Sequence, residues 1–113
     1  MSLSFEPSEP IVVFMTASTA AEADEIAEML VGRKLAACVQ ILPEIRSVYF
    51  WKNEIQRDTE VLILAKTSRG KFAELEREVR AIHSYETPEI IAVGIEAGSE
   101  TYLRWLTSCL DGS

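Results

Sequence analysis

Four apolar extended runs, with two helix-period stripes set among them, limit the folds open to this chain more than any other feature. The first run, IVVFMTA (Ile11 to Ala17), is β-branched and unbroken, the pattern of a buried strand. Thr19 followed three residues later by Glu22 makes a capping box, which satisfies free backbone N–H groups reciprocally at a helix start. Ala23, Ile26, Ala27 and Leu30 then form one apolar stripe, and Gly32 is a stop signal. LAACVQIL (Leu35 to Leu42) reads as a second strand, interrupted by Pro43, which has no N–H for a sheet ladder. The chain resumes extended through IRSVYFW (Ile45 to Trp51), turns at Lys52 to Glu54, and runs back as EVLILAKT (Glu60 to Thr67). One long hairpin, kinked at Pro43 and with its tip near Asn53, accounts for these segments.

Phe72, Leu75, Val79 and Ile82 recur at spacings of three and four, which predicts a second amphipathic helix with Gly70 at its start and His83 at its end. IIAVGIE (Ile90 to Glu96) is a fourth strand, and Ser99 caps a last helix carrying Leu103, Leu106 and Leu110 on one face. The order β-α-β-β-α-β with an appended C-terminal helix is that of an α+β, ferredoxin-like fold, two helices covering one face of an antiparallel sheet. A single domain is expected over residues 11–113, preceded by a flexible tail at residues 1–10, which is polar and carries two prolines. No internal repeat or low-complexity segment interrupts it.

Charge and cysteine usage exclude several function classes. A net charge of −7 argues against nucleic acid, which demands a basic footprint. No apolar run approaches the roughly 20 residues that cross a membrane, and the N-terminus shows no basic-then-apolar secretory pattern. Cys38 and Cys109 are far apart and form no C-x-x-C pair, so no disulfide framework is expected and the cytoplasm is the expected compartment. Cys38, inside its apolar run, is expected to be buried.

Tyr49, Phe50 and Trp51 are consecutive on an extended segment, so their side chains point to both faces of the sheet. Helices cover only one face in a chain this short, which makes a subunit interface the expected cover for the other. The competing reading is that the hairpin folds back over its own core.

Standard phosphate-cradling and nucleophile-elbow motifs are absent. The chain's one histidine lies in HSYETPEI (His83 to Ile90), where His83, Tyr85, Glu86 and Glu89 cluster within one short loop. Imidazole with carboxylate suits Cu(II), Zn(II) or Ni(II), but a structural zinc site asks for four Cys or His ligands, and this chain offers three Cys and His in total. The same residues also suit an ordered turn: Pro88 presets an extended entry to the next strand, and His83 closes a helix. A Cys38–His83 nucleophile pair is the third reading. Spacing alone leaves all three open.

GRKLAACVQILPEIRSVYFWKNEI, VLILAKTS, HSYETPEIIAV and YLRWL, in this order and spacing from about Ile11 to Leu110, together resemble the CutA divalent-cation tolerance proteins. The resemblance implies a homotrimer of ferredoxin-like subunits whose long hairpins pair across subunits, similarity in architecture to the PII signalling proteins, and a non-enzymatic role. It implies no obligatory cofactor, with Cu(II), another divalent cation or a small ligand as the candidate occupant of a site between subunits. His83, Tyr85, Pro88 and Glu89 match the family pattern H-P-Y-x-x-P-E, with Ser84 in place of the proline, and Cys38 matches the cysteine of LAAC. Met15 and Ile82 stand where copper-linked members carry a cysteine and a histidine. The expected metal residues are therefore His83, Cys38, Glu86 and Glu89, with Tyr85, Lys66 and Trp51 as pocket residues and Tyr49, Phe50 and Trp51 at the interface. A PII-like module for a small anion or partner protein is the alternative.

Overall fold

The structure, a computed structural model, describes residues 6–111. Along the chain it comprises β1 (Pro10–Ala17), α1 (Ala20–Gly32), β2 (Cys38–Trp51), β3 (Glu54–Ser68), α2 (Phe72–Ile82), β4 (Ile90–Gly94) and α3 (Glu100–Leu110), with a 3-10 turn at Arg69–Lys71 leading into α2. The strands make one antiparallel sheet in the order β2-β3-β1-β4, the ferredoxin-like arrangement expected from the element order.

Strand side chains alternate, so the registers sort the sheet into two faces. Ala92, Val13, Ala65 and Val39 stand abreast on one face, as do Ile90, Met15, Ile63 and Ile41. Ala23, Ile26 and Leu30 of α1 and Leu75 and Val79 of α2 cover that face, and all five are fully buried. Burial of each large aliphatic side chain contributes about 1.5–3 kcal/mol, so this layer dominates the stability of the fold. Met15 belongs to it at 0% exposure.

The opposite face carries Val93, Val12, Lys66 and Cys38 in one row and Ile91, Phe14, Leu64 and Gln40 in the next. α3 lies along part of this face, with the Lys66 ammonium 3.4 Å from the Tyr102 hydroxyl and 5.4 Å from its ring centroid. The remainder is open: Ile91 is 55% exposed and Val93 51%. The hairpin does not fold back over the core, since Phe50 and Trp51 at its tip are 68% and 59% exposed.

Several local expectations are corrected. β3 begins at Glu54 rather than Glu60, because pairing with the aromatic arm from Trp51↔Glu54 onward orders a polar stretch that hydropathy alone does not mark. β2 begins at Cys38, and Leu35 and Ala36 precede it as buried residues whose N–H groups donate to the Leu30 carbonyl. Cys38 is therefore at a strand start and half-buried. Pro43 does not end the strand; a register shift between Leu42 and Ile45 absorbs it as a bulge. Gly32 remains helical, and the left-handed turn after α1 is taken by Lys34 at φ 58°. Ser99 occupies the N-cap position of α3 without capping a helix N–H; its hydroxyl instead meets that of Thr101 at 3.0 Å. The fourth strand stops at Gly94, short of the expected Glu96.

Residues 1–5 of the expected tail lie outside the described residues. Closer in, the Pro7 and Glu9 carbonyls accept from the Gly70 and Arg69 N–H groups, at 2.9 and 2.8 Å. A Cβ at position 70 would stand 2.9 Å from that of Pro7, so glycine is required there.

Candidate functional site

On the open face of β3, period-two alternation places Asp58 and Glu60 in line with Leu62 and Leu64. Ser47 faces Asp58 across the hairpin, with Tyr49 and Trp51 further along the same side. The loop after α2 folds toward this strip, and together they enclose a cleft of about 760 Å³ whose walls include Trp51, Tyr49, Asp58, Glu60, Tyr85, Glu86 and Glu89. The Tyr49 hydroxyl donates to Asp58, and that of Tyr85 to Glu60 at 2.8 Å. Each phenol is raised above its ordinary value of 10: Tyr85 by burial and then by its bond to Glu60, Tyr49 first by its bond to Asp58. Both hydroxyls thus remain donors at neutral pH.

His83 ends α2, its N–H donating to the Val79 carbonyl at 2.9 Å. The side chain turns inward rather than into the cleft and is 0% exposed. Its Nε2 lies 2.7 Å from the Thr16 carbonyl, and its Nδ1 lies 2.9 Å from the Tyr85 amide nitrogen. A carbonyl only accepts and an amide N–H only donates, so Nε2 carries the proton and Nδ1 is the acceptor. The Tyr85 ring packs against the imidazole at a centroid separation of 4.8 Å.

Glu22 is the partner that sequence spacing hid. Its capping-box role is half fulfilled: the Thr19 hydroxyl accepts from the Glu22 N–H at 3.1 Å, but the Glu22 carboxylate turns to Ser18 and Ser84. It accepts from the Ser84 N–H at 2.6 Å and hydroxyl at 3.0 Å, and lies 3.6 Å from His83 Nδ1. Burial alone would raise its pKa, but the Ser84 and Ser18 N–H groups and the Ser84 hydroxyl hold it below the ordinary 4.5. A proline at position 84 would have no N–H to give.

The expected site residues therefore separate. Tyr85, Glu86, Glu89 and Trp51 meet at the cleft, together with Tyr49. His83 sits behind its wall. Cys38 and Lys66 face each other in the Val12 row, four β1 residues from Thr16, or roughly 13 Å along the strand. Cys38 and His83 accordingly form no nucleophile pair, and Lys66 points to Tyr102 instead of the cleft. Phe50 pairs with Ile55 on the other side of the hairpin. Asp58, Glu60 and Tyr49 as pocket residues were missed, although alternation back from Leu62 and Leu64 marks both carboxylates.

Tested as a metal site, this donor set does not fit within one chain. Among the described residues no three His, Cys, Asp or Glu side chains stand close enough to share an ion. Both His83 nitrogens are occupied, and Met15, at the position where the family resemblance puts a cysteine, is in the core.

Fold and cleft together define a class: a ferredoxin-like α+β domain with a long projecting hairpin, an acidic cleft at its base and an incompletely covered sheet face. Within that class the chain belongs to the CutA1 divalent ion tolerance protein family, whose model matches residues 11–109. It is 42% identical over 99 residues to the divalent-cation tolerance protein CutA of Archaeoglobus fulgidus, covering 88% of this chain and 96% of that protein. The corresponding protein of Thermus thermophilus is 43% identical over 95 residues, 84% of this chain and 92% of that one. The solved structure of the A. fulgidus periplasmic divalent cation tolerance protein CutA superposes with a TM-score of 0.88 at 40% identity, covering 90% of this chain and 99% of that one. Against the longer Xenopus laevis and Mus musculus CutA relatives, the matched region spans 62% and 58% of their length. No helix among the described residues is long and apolar enough to cross a membrane.

Proposed function

We propose that the chain works as a homotrimer in divalent-cation tolerance, taking up Cu(II), another divalent cation or a small ligand in the cleft at the hairpin base, where a neighbouring subunit closes it. The carrying observation is position: the cleft opens on the same sheet face that leaves Ile91 and Val93 more than half exposed, beside a bare aromatic hairpin. Apolar surface of that kind marks a contact face. The family membership adds the cation, and Glu86 and Glu89 are exposed carboxylates that a second subunit can complement. The proposed role is binding rather than catalysis. Two free cysteines suit a reducing compartment, which favours the cytoplasm.

A PII-like anion module is the less supported reading, because carboxylates and no lysine or arginine line the cleft. Light scattering on a sizing column is expected to return three times 12.6 kDa. Cu(II) calorimetry on chelator-treated protein is expected to give saturable binding that Glu86→Gln/Glu89→Gln weakens at least tenfold. A monomer, or binding unchanged by the double variant, would remove the reading.

A further inference from the structure

We infer that His83 is not a cation ligand but the positioning residue for the cleft wall, holding Tyr85 in place through a single neutral tautomer. The inference rests on the reading of the cleft as the ligand site and gives the lone histidine a different part in it. A metal needs an exposed lone pair on an imidazole nitrogen. His83 has one lone pair, on Nδ1, and the Tyr85 N–H occupies it at 2.9 Å inside a fully buried side chain. The other nitrogen donates at 2.7 Å to the Thr16 carbonyl in β1. Releasing either for coordination would strand a main-chain group, at a cost comparable to a lost buried hydrogen bond.

What the imidazole does instead is join three elements. Thr16 fixes it to β1, Glu22 of α1 holds the next residue through the Ser84 N–H, and Tyr85, packed at a tilt against the ring, reaches Glu60 of β3. Glu86 and Glu89 follow directly in the chain and line the cleft that His83 does not touch. The histidine thus acts on the cleft through Tyr85.

Two substitutions divide the imidazole's jobs. In His83→Asn the side-chain oxygen stands in for Nδ1 and keeps the acceptor for the Tyr85 N–H; in His83→Gln the side-chain NH₂ stands in for Nε2 and keeps the donor to Thr16. Amide spectra of residues 84–87 and 89, recorded without metal, are expected to stay near wild type in the Asn variant and to move in the Gln variant. Cu(II) affinity should follow, within about twofold of wild type for Asn and at least tenfold weaker for Gln. Imidazole ¹⁵N spectra of the wild-type protein provide a measurement independent of variant folding: the Nε2–H pattern should be present and unchanged when Zn(II) saturates the protein. A coordination shift at either nitrogen, or equal displacement of the loop in both variants, would overturn the inference. Absence of any Cu(II) or Zn(II) binding with the Asn–Gln difference intact would instead reject the cation reading and leave the positioning role standing.

Discussion

Glu22 and Ser84 show how one carboxylate can tie a loop to a helix far back along the chain. The Glu22 side chain is 10% exposed and accepts from two backbone N–H groups and two serine hydroxyls. Charge-assisted bonds of this type contribute roughly 1.5–3 kcal/mol, so Glu22→Ala is expected to lower stability by about 2 kcal/mol at pH 7. The folded-state pKa is depressed, so the contribution is fully present above the unfolded value near 4.5 and is lost as pH falls through the folded value. Urea denaturation of wild type and Glu22→Gln should therefore differ by a constant amount at neutral pH and converge in acid, below pH 4.5. A gap that widens on acidification would contradict the assignment.

The hairpin depends on its tip. Trp51 pairs with Glu54, leaving Lys52 and Asn53 as a two-residue turn with φ of 52° and 63°. Two successive left-handed residues make a type I′ turn, whose twist matches the flanking strands. Asparagine tolerates that conformation, while lysine in it is strained by roughly 1 kcal/mol. Lys52→Asn is expected to raise the unfolding free energy by about 0.5 kcal/mol, seen as a higher urea midpoint at unchanged slope and fixed protein concentration. Lys52→Pro, which forces φ near −65°, should lower it by more than about 1 kcal/mol. The reverse order of midpoints would rule out the I′ geometry. Further down the arms, the bulge at Leu42/Ile45 lets Pro43 sit in the strand without breaking it.

The chain as a whole is more extended than its length requires. Its radius of gyration is 15.0 Å, against about 13 Å for a compact domain of this size, and the longest dimension is 44 Å. The projecting hairpin and the open sheet face are both costly in water, and in the proposed trimer one set of contacts covers both. Ile91→Glu places a charge in the middle of that face beside Phe14, with which Ile91 pairs. Light scattering should report the mass of one chain for this variant, with a native far-UV spectrum because the helix-covered core is on the other side. An assembly unchanged from wild type would place the contact elsewhere.

Element order, strand polarity and the helix-facing core were legible in the sequence, because hydrophobic periodicity acts locally and the ferredoxin-like connection follows from it. The family likeness in HSYETPE and LAAC was legible too. Which of those residues would meet was not. Sequence neighbours His83 and Glu86 went to opposite sides of the cleft wall, since the chain must satisfy the Thr16 carbonyl and Tyr85 N–H in the interior before it can offer anything to solvent. Cys38 and Lys66 went to the far end of the sheet because antiparallel register, not motif, sets position along a strand. Asp58 and Glu60 entered the cleft by the same rule. Periodicity sets the faces of each element; packing and hydrogen-bond satisfaction between elements set the site.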